Sequence, residues 1–173
     1  MLQSQRYNLI YISMASDMAS ERIQRLLADL KQPDAAVRDR ASSALWHLWF
    51  HQKGVYGAQQ LVQAESLLQT GKADQAERLL SDMIQAQPDF TEAWNRRAVF
   101  HYIQGHHWRA IADCQKAIQL APYHFGALHG LGLCHSAVGN YTAAIQAFRQ
   151  ALEIQPYALA NQRMILECTA KLG

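Results

Sequence analysis

The chain has 173 residues, of which 50% are hydrophobic and 17% charged, and its formal net charge is +2. This length and composition fit one folded domain or one short repeat array. The small positive charge is too weak to argue, on charge alone, for nucleic acid as a partner. No apolar run approaches the roughly 18 residues of a membrane-spanning helix, so we expect no transmembrane segment.

The start of the chain carries little structural information. Its apolar run, Leu9–Ile12, is too short and too polar in its flanks for the core of a signal peptide. We therefore predict no structure for residues 1–18. Met1, Met14 and Met18 are all open as the true start.

A helical hairpin is predicted over residues 19–51. Apolar residues recur at helical spacing on both sides of Pro33, which ends the first helix. The hairpin resembles a single HEAT repeat through Leu27, Leu30, Pro33, Asp34, Val37, Arg38, Ala41, Ala44 and Leu45. This resemblance implies that Asp34 and Arg38 help to tie neighbouring helices together.

The end of this hairpin is rich in aromatic side chains. We predict that the hairpin caps the array that follows, with Trp46, Trp49 and Phe50 packed on its first unit. The alternative is that these three side chains form an exposed docking site.

Residues 57–158 contain a repeat. Three residue types return at an interval of 34 residues, namely Gly71, Gly105 and Gly139, then Ala76, Ala110 and Ala144, then Pro88, Pro122 and Pro156. This pattern resembles the tetratricopeptide repeat (TPR), a pair of antiparallel helices that stacks into an array.

The TPR resemblance implies the architecture of the whole chain. We expect an all-α fold with about nine helices, arranged as a right-handed α-solenoid of antiparallel helix pairs. The predicted units are TPR 1 over residues 57–90, TPR 2 over 91–124, TPR 3 over 125–158 and a capping helix over 158–172.

The resemblance also implies a concave inner surface, formed by the first helix of each unit. By register, the candidate peptide-binding residues are Glu65 in TPR 1, then Glu92, Asn95, Arg96, Val99 and Tyr102 in TPR 2, and His129, Leu133 and Ser136 in TPR 3. Arg96 and Tyr102 are the residue types most typical of binding hot spots. Gly126 and Gly130 leave the groove floor bare, either for a ligand or for the C-terminal helix.

No catalytic or metal-binding motif is present, so we expect no enzyme activity, no cofactor and no metal. His101 and His135 hold equivalent positions in successive repeats and are interpreted as hydrogen-bonded, half-buried imidazoles. Three cysteines, Cys114, Cys134 and Cys168, form no C-x-x-C pair and are interpreted as buried thiols of a cytoplasmic protein.

These features together predict a non-catalytic scaffold, an adaptor or assembly factor, which binds a peptide or helix of another protein in the concave groove. TPR proteins that bind chaperone tails use a clamp of two lysines, two asparagines and an arginine. None of the required residues stands at the matching positions of this chain, which are Leu61, Glu65, Arg96, Gly126 and Gly130. No carboxylate clamp is therefore expected. The alternative is an RNA-binding helical repeat, which Glu65 and Glu92 in the groove disfavour. The identity of the partner and the oligomeric state remain open.

Overall fold

The computed structural model describes residues 17–173, and this part of the chain folds into a succession of helices. They are α1 (residues 17–29), α2 (Ala35–Phe50), α3 (Gly54–Gln69), α4 (Ala73–Ala86), α5 (Thr91–Ile103), α6 (His107–Leu120), α7 (Phe125–Ala137), α8 (Tyr141–Ile154) and α9 (Leu159–Ala170). No strand occurs among these residues, so the predicted all-α fold is confirmed. The predicted unstructured start lies outside the described residues, except for residues 17 and 18, which belong to α1.

The chain divides into two compact units, and the boundary falls within α2, between Leu45 and Trp46. In the first unit Asp34 caps α2, because its Oδ1 accepts the backbone N–H of Ala36 at 2.8 Å. Arg38 Nη1 donates to the carbonyl oxygens of Gln32 and Pro33 at 2.8 and 2.5 Å. Asp34 and Arg38 therefore order the turn of the hairpin, while its HEAT-like character stays a prediction.

The second unit contains three helix pairs, α3–α4, α5–α6 and α7–α8, and then α9. Each pair turns at a glycine with positive φ, namely 75° at Gly71 and 76° at both Gly105 and Gly139. At the first turn Gly71 N–H bonds to Leu68 O at 3.1 Å and Lys72 N–H to Leu67 O at 2.8 Å. This pair of backbone hydrogen bonds forms a Schellman motif, in which the residue after the helix C-cap adopts the left-handed conformation.

The repeating alanines are buried within the helix pairs. Ala76, Ala110 and Ala144 have no exposed surface. A larger side chain at these positions would force the helices apart, because interiors are packed almost without voids. Among the described residues no helix is both long enough and apolar enough to cross a bilayer.

Candidate functional site

A buried carboxylate, Glu92, lies at the start of α5. Its Oε1 accepts a hydrogen bond from Arg96 Nε at 2.7 Å, and its Oε2 accepts one from Asn95 Nδ2 at 3.2 Å. The same Oε2 lies 3.0 Å from His124 Nε2. Since His124 Nδ1 accepts the backbone N–H of Ala127 at 3.0 Å, the proton of the neutral ring is on Nε2, which donates to Glu92.

This network changes the interpretation of two candidate groove residues. Glu92 is 0% exposed and Asn95 is 5% exposed. The register predicts both on the inner surface, whereas the structure places both inside the protein. Asn95 donates to Glu92, and Glu92 also accepts from His124, the N-cap residue of α7, so these buried polar groups have partners within the protein.

Arg96 connects the buried network to the surface. Its Nη1 lies 3.8 Å from Glu65 Oε2, and its guanidinium lies 6.0 Å from the centre of the Phe50 ring. The Arg96 side chain keeps 34% of its surface exposed, and that of Glu65 keeps 51%. The guanidinium charge is therefore shared between two carboxylates, and Arg96 is not a free cation in the groove.

The last turn of α2 packs on the helix pairs; we call Trp46, Trp49 and Phe50 the aromatic turn. Trp49 is 5% exposed and stacks on His124 with ring centres 3.9 Å apart, and Trp46 meets the edge of the same imidazole at 5.4 Å. Phe50 packs against the buried cluster of the first repeat. The predicted packing on the first repeat is thus confirmed for Phe50, while the two tryptophans lie at the start of the third repeat.

Neither a ligand nor the C-terminal helix, the two expected occupants, lies over Gly126; a tryptophan side chain does. A Cβ added at Gly126 would lie 2.5 Å from Trp46 Cη2, so the missing side chain makes room for the indole. At Gly130 the nearest atom to such a Cβ is Cys114 Sγ, at an ordinary 3.4 Å. Neither the C-terminal helix nor a ligand is needed to explain Gly126.

An open part of the inner surface remains between α3 and α5, and we call it the open strip. It encloses about 200 Å³ and is lined by Leu61, Ala64, Glu65, Leu68, Gln69, Leu80, Arg96, Val99 and Ile103. Val99 is 44% exposed and Ile103 is 63% exposed. Glu65, Arg96 and Val99 are predicted candidates, whereas Leu68, Gln69 and Ile103 are not, although the same register places them on the inner surface.

Comparison with known proteins supports the repeat assignment. Residues 89–156 match the family model described as tetratricopeptide repeat. Over these residues, which include the second and third helix pairs, the chain matches tetratricopeptide repeats. A TPR repeat-containing protein of Rhizobium etli is 28% identical over 162 residues, which cover 92% of this chain and 78% of that protein.

Two solved TPR structures resemble the fold. The first TPR of Spaghetti (RPAP3) bound to the HSP90 peptide SRMEEVD aligns with a TM-score of 0.63 and 18% identity, over 65% of this chain and 90% of that one. The TPR2B domain of yeast Sti1 in a pHsp70 complex aligns with a TM-score of 0.60 and 19% identity, over 65% and 95% of the two chains. At such low identity these structures establish the fold alone.

In the third TPR the candidate groove residues face α9. His129 Nδ1 lies 2.6 Å from Asn161 Oδ1, and Cys168 Sγ donates to Ser136 Oγ at 3.6 Å. Leu133 packs against the buried cluster that includes Cys168. These three candidates, His129, Leu133 and Ser136, therefore hold the last helix in place. In the second TPR, half-buried Tyr102 likewise packs against the core.

A second buried ion pair joins the two helices of the second TPR. Arg97 Nε and Nη2 each donate to Asp113 at 2.8 Å, which is the bidentate geometry of a strong pair. His101 Nε2 lies 3.7 Å from the same carboxylate. Arg97 and Asp113 therefore satisfy each other's charge within the protein. Among the described residues no group of three or more His, Cys, Asp and Glu side chains could hold a metal ion.

The interpretation of His101 and His135 as hydrogen-bonded imidazoles is wrong for one nitrogen of each ring. Nδ1 of both side chains is buried without a hydrogen-bond partner. Burial lowers the pKa of His135, and it lowers the pKa of His101 despite the opposing attraction of Asp113. Since each pKa is lower in the folded state, the unfolded chain binds more protons as the pH falls, and acid destabilises the fold.

We expect His135→Gln to reduce this acid sensitivity. For the unmodified chain the free energy of unfolding should decrease as the pH falls from about 7 through the ordinary histidine range near 6.5. The decrease should be smaller in His135→Gln, while His106→Gln, which changes an exposed histidine, should follow the unmodified chain. Urea titrations at several pH values measure these slopes, and an identical slope in all three proteins would contradict the role of His135.

Proposed function

We propose that this chain is a non-catalytic protein–protein interaction scaffold, an adaptor or assembly factor, that binds a peptide or helix of a partner protein in the open strip. The exposure of two neighbouring apolar side chains carries the proposal. Val99 and Ile103 lie one helical turn apart on α5 and are 44% and 63% exposed, beside a recess of about 200 Å³. An apolar recess with a few polar groups at its margin suits the side chains of a bound segment.

The mode we propose differs from capture of a chain-terminal carboxylate. The HSP90 peptide named for the Spaghetti (RPAP3) structure is bound by that protein. In this chain Leu61 is buried, Gly126 lies under Trp46, and Arg96 is already paired with two carboxylates. The same pairing disfavours the RNA alternative, because a phosphate would have to approach Arg96 past Glu65.

The remaining features fit this proposal. Three free thiols, Cys114, Cys134 and Cys168, are buried, which suits the cytoplasmic location that we propose with the function. The buried polar networks around Glu92 and Asp113 are satisfied within the protein, and this supports a scaffold rather than an enzyme.

The proposal predicts that Ile103→Asp weakens partner binding at least about tenfold, because a carboxylate in the recess would have to lose its water. The matched control is Leu166→Asp on α9, since Leu166 is 70% exposed and Ile103 63%. Quantitative affinity capture compares the two variants with the unmodified chain, and circular dichroism checks that both remain folded.

The proposal is supported if a set of partner proteins is captured by the unmodified chain and by Leu166→Asp but not by Ile103→Asp. If all three proteins retain the same partners in equal amounts, the open strip is not the binding surface.

A further inference from the structure

We infer that the segment bound in the open strip is apolar and carries a lysine or arginine beside its apolar side chains, instead of an acidic chain end. This inference rests on the proposed function and adds the chemistry of the partner. It follows from the charges that surround the recess.

Three charged groups determine the electrostatics of the strip. Glu65 and Arg96 line it, and Glu92 lies directly behind Arg96. Two carboxylates and one guanidinium leave one negative charge in excess. The His124 ring adds no charge, because it is the neutral tautomer in which Nδ1 accepts the Ala127 N–H.

The guanidinium is directed to the interior side of this arrangement. Its Nε is 2.7 Å from the buried Glu92, whereas its Nη1 is 3.8 Å from the half-exposed Glu65. The first distance is that of a charge-assisted hydrogen bond and the second is longer than any hydrogen bond. Glu65 is therefore the carboxylate whose charge is least compensated, and it faces the recess.

The position of the aromatic turn supports the same assignment. The Phe50 ring lies 6.0 Å from the Arg96 guanidinium, so one flank of the cation is occupied by an aromatic side chain. A ligand carboxylate that approached Arg96 from the strip would come close to Glu65. A ligand ammonium or guanidinium at the same place would be attracted to Glu65.

Peptide display on the full chain tests this inference. A library of random peptides fused at both ends, which present no free terminal carboxylate, is selected on the unmodified protein and counter-selected on Ile103→Asn, which removes the apolar side chain without adding a charge. Peptides that survive bind through the strip by definition. We expect them to combine apolar residues with a net positive charge.

The affinities of the selected peptides are then measured against two charge-reversal variants. Glu65→Lys should weaken binding by about tenfold or more. Glu153→Lys, an equal change of charge at an exposed position of α8, should leave binding unchanged. Circular dichroism of both variants confirms that their helical content is retained.

The possible failures are distinguishable. Peptides that depend on Ile103 but are acidic, or that bind Glu65→Lys as well as the unmodified chain, would overturn the charge inference and leave the proposed function standing. If no peptide survives the counter-selection, the proposed function and the inference fail together.

Discussion

Glu92→Ala is expected to lower the free energy of unfolding by about 3 kcal/mol or more. The substitution removes the acceptor of Asn95 Nδ2 and His124 Nε2, two donors in buried side chains, and it removes the closer partner of Arg96. A buried donor left without an acceptor costs about 1–3 kcal/mol, and breaking a buried ion pair costs about 3–5 kcal/mol. Urea denaturation followed by circular dichroism and tryptophan fluorescence measures the loss.

The control uses the other carboxylate of the same arginine. Glu65→Ala also removes a partner of Arg96, but from a half-exposed pair 3.8 Å apart. Such pairs contribute no more than about 1 kcal/mol, so this variant should resemble the unmodified chain. Equal losses in the two variants would show that burial of Glu92 does not govern its contribution.

Gly132→Ala is expected to destabilise the protein by about 1–3 kcal/mol, although alanine favours helices over glycine. A Cβ at Gly132 would lie 2.4, 2.6 and 2.7 Å from three carbons of the Phe148 ring, and Phe148 is 0% exposed. Because the ring is fully buried, relieving these contacts requires the ring and its packed neighbours, or α7 and α8 themselves, to shift.

Gly130→Ala, two residues earlier on the same helix, is the matched control. Its added Cβ would meet Cys114 Sγ at 3.4 Å, which is an ordinary contact. We expect a gain of about 0.5–1 kcal/mol from the higher helix propensity of alanine. Thermal melting of the two variants tests the contrast, and a gain in stability at both positions would show that Phe148 can move aside.

The features that recur at the 34-residue interval could be predicted from the sequence, because each has a local cause. Gly71 returns as Gly105 and Gly139 since each turn needs a positive φ, and all three angles agree within 1°. Ala76 and its equivalents return because each helix pair needs a close contact. Each of these requirements concerns contacts within a single repeat, so it can be recognised from the residues of that repeat.

The candidate site was harder to predict because a segment outside the repeats alters it. Register assigns Glu92 and Gly126 to the inner surface, but it does not show that Glu92 is buried or that Trp46 of the aromatic turn lies against Gly126. Two signals were present in the sequence: a helical glycine with no partner to explain it, and a cluster of large aromatic residues, Trp46, Trp49 and Phe50. Only the tertiary structure shows that the glycine and the aromatic residues, which are distant in sequence, lie in contact.

The aromatic turn has a consequence for how this protein unfolds. In an array of repeats each unit normally touches only its neighbours, so the ends can open while the middle stays folded. In this chain Phe50 packs into the cluster of the first repeat, while Trp46 and Trp49 lie against Phe125 at the start of the third. One helical turn thus links repeats that are not adjacent, and loss of order in either repeat is communicated to the other. We therefore expect the three repeats to unfold together as one cooperative unit.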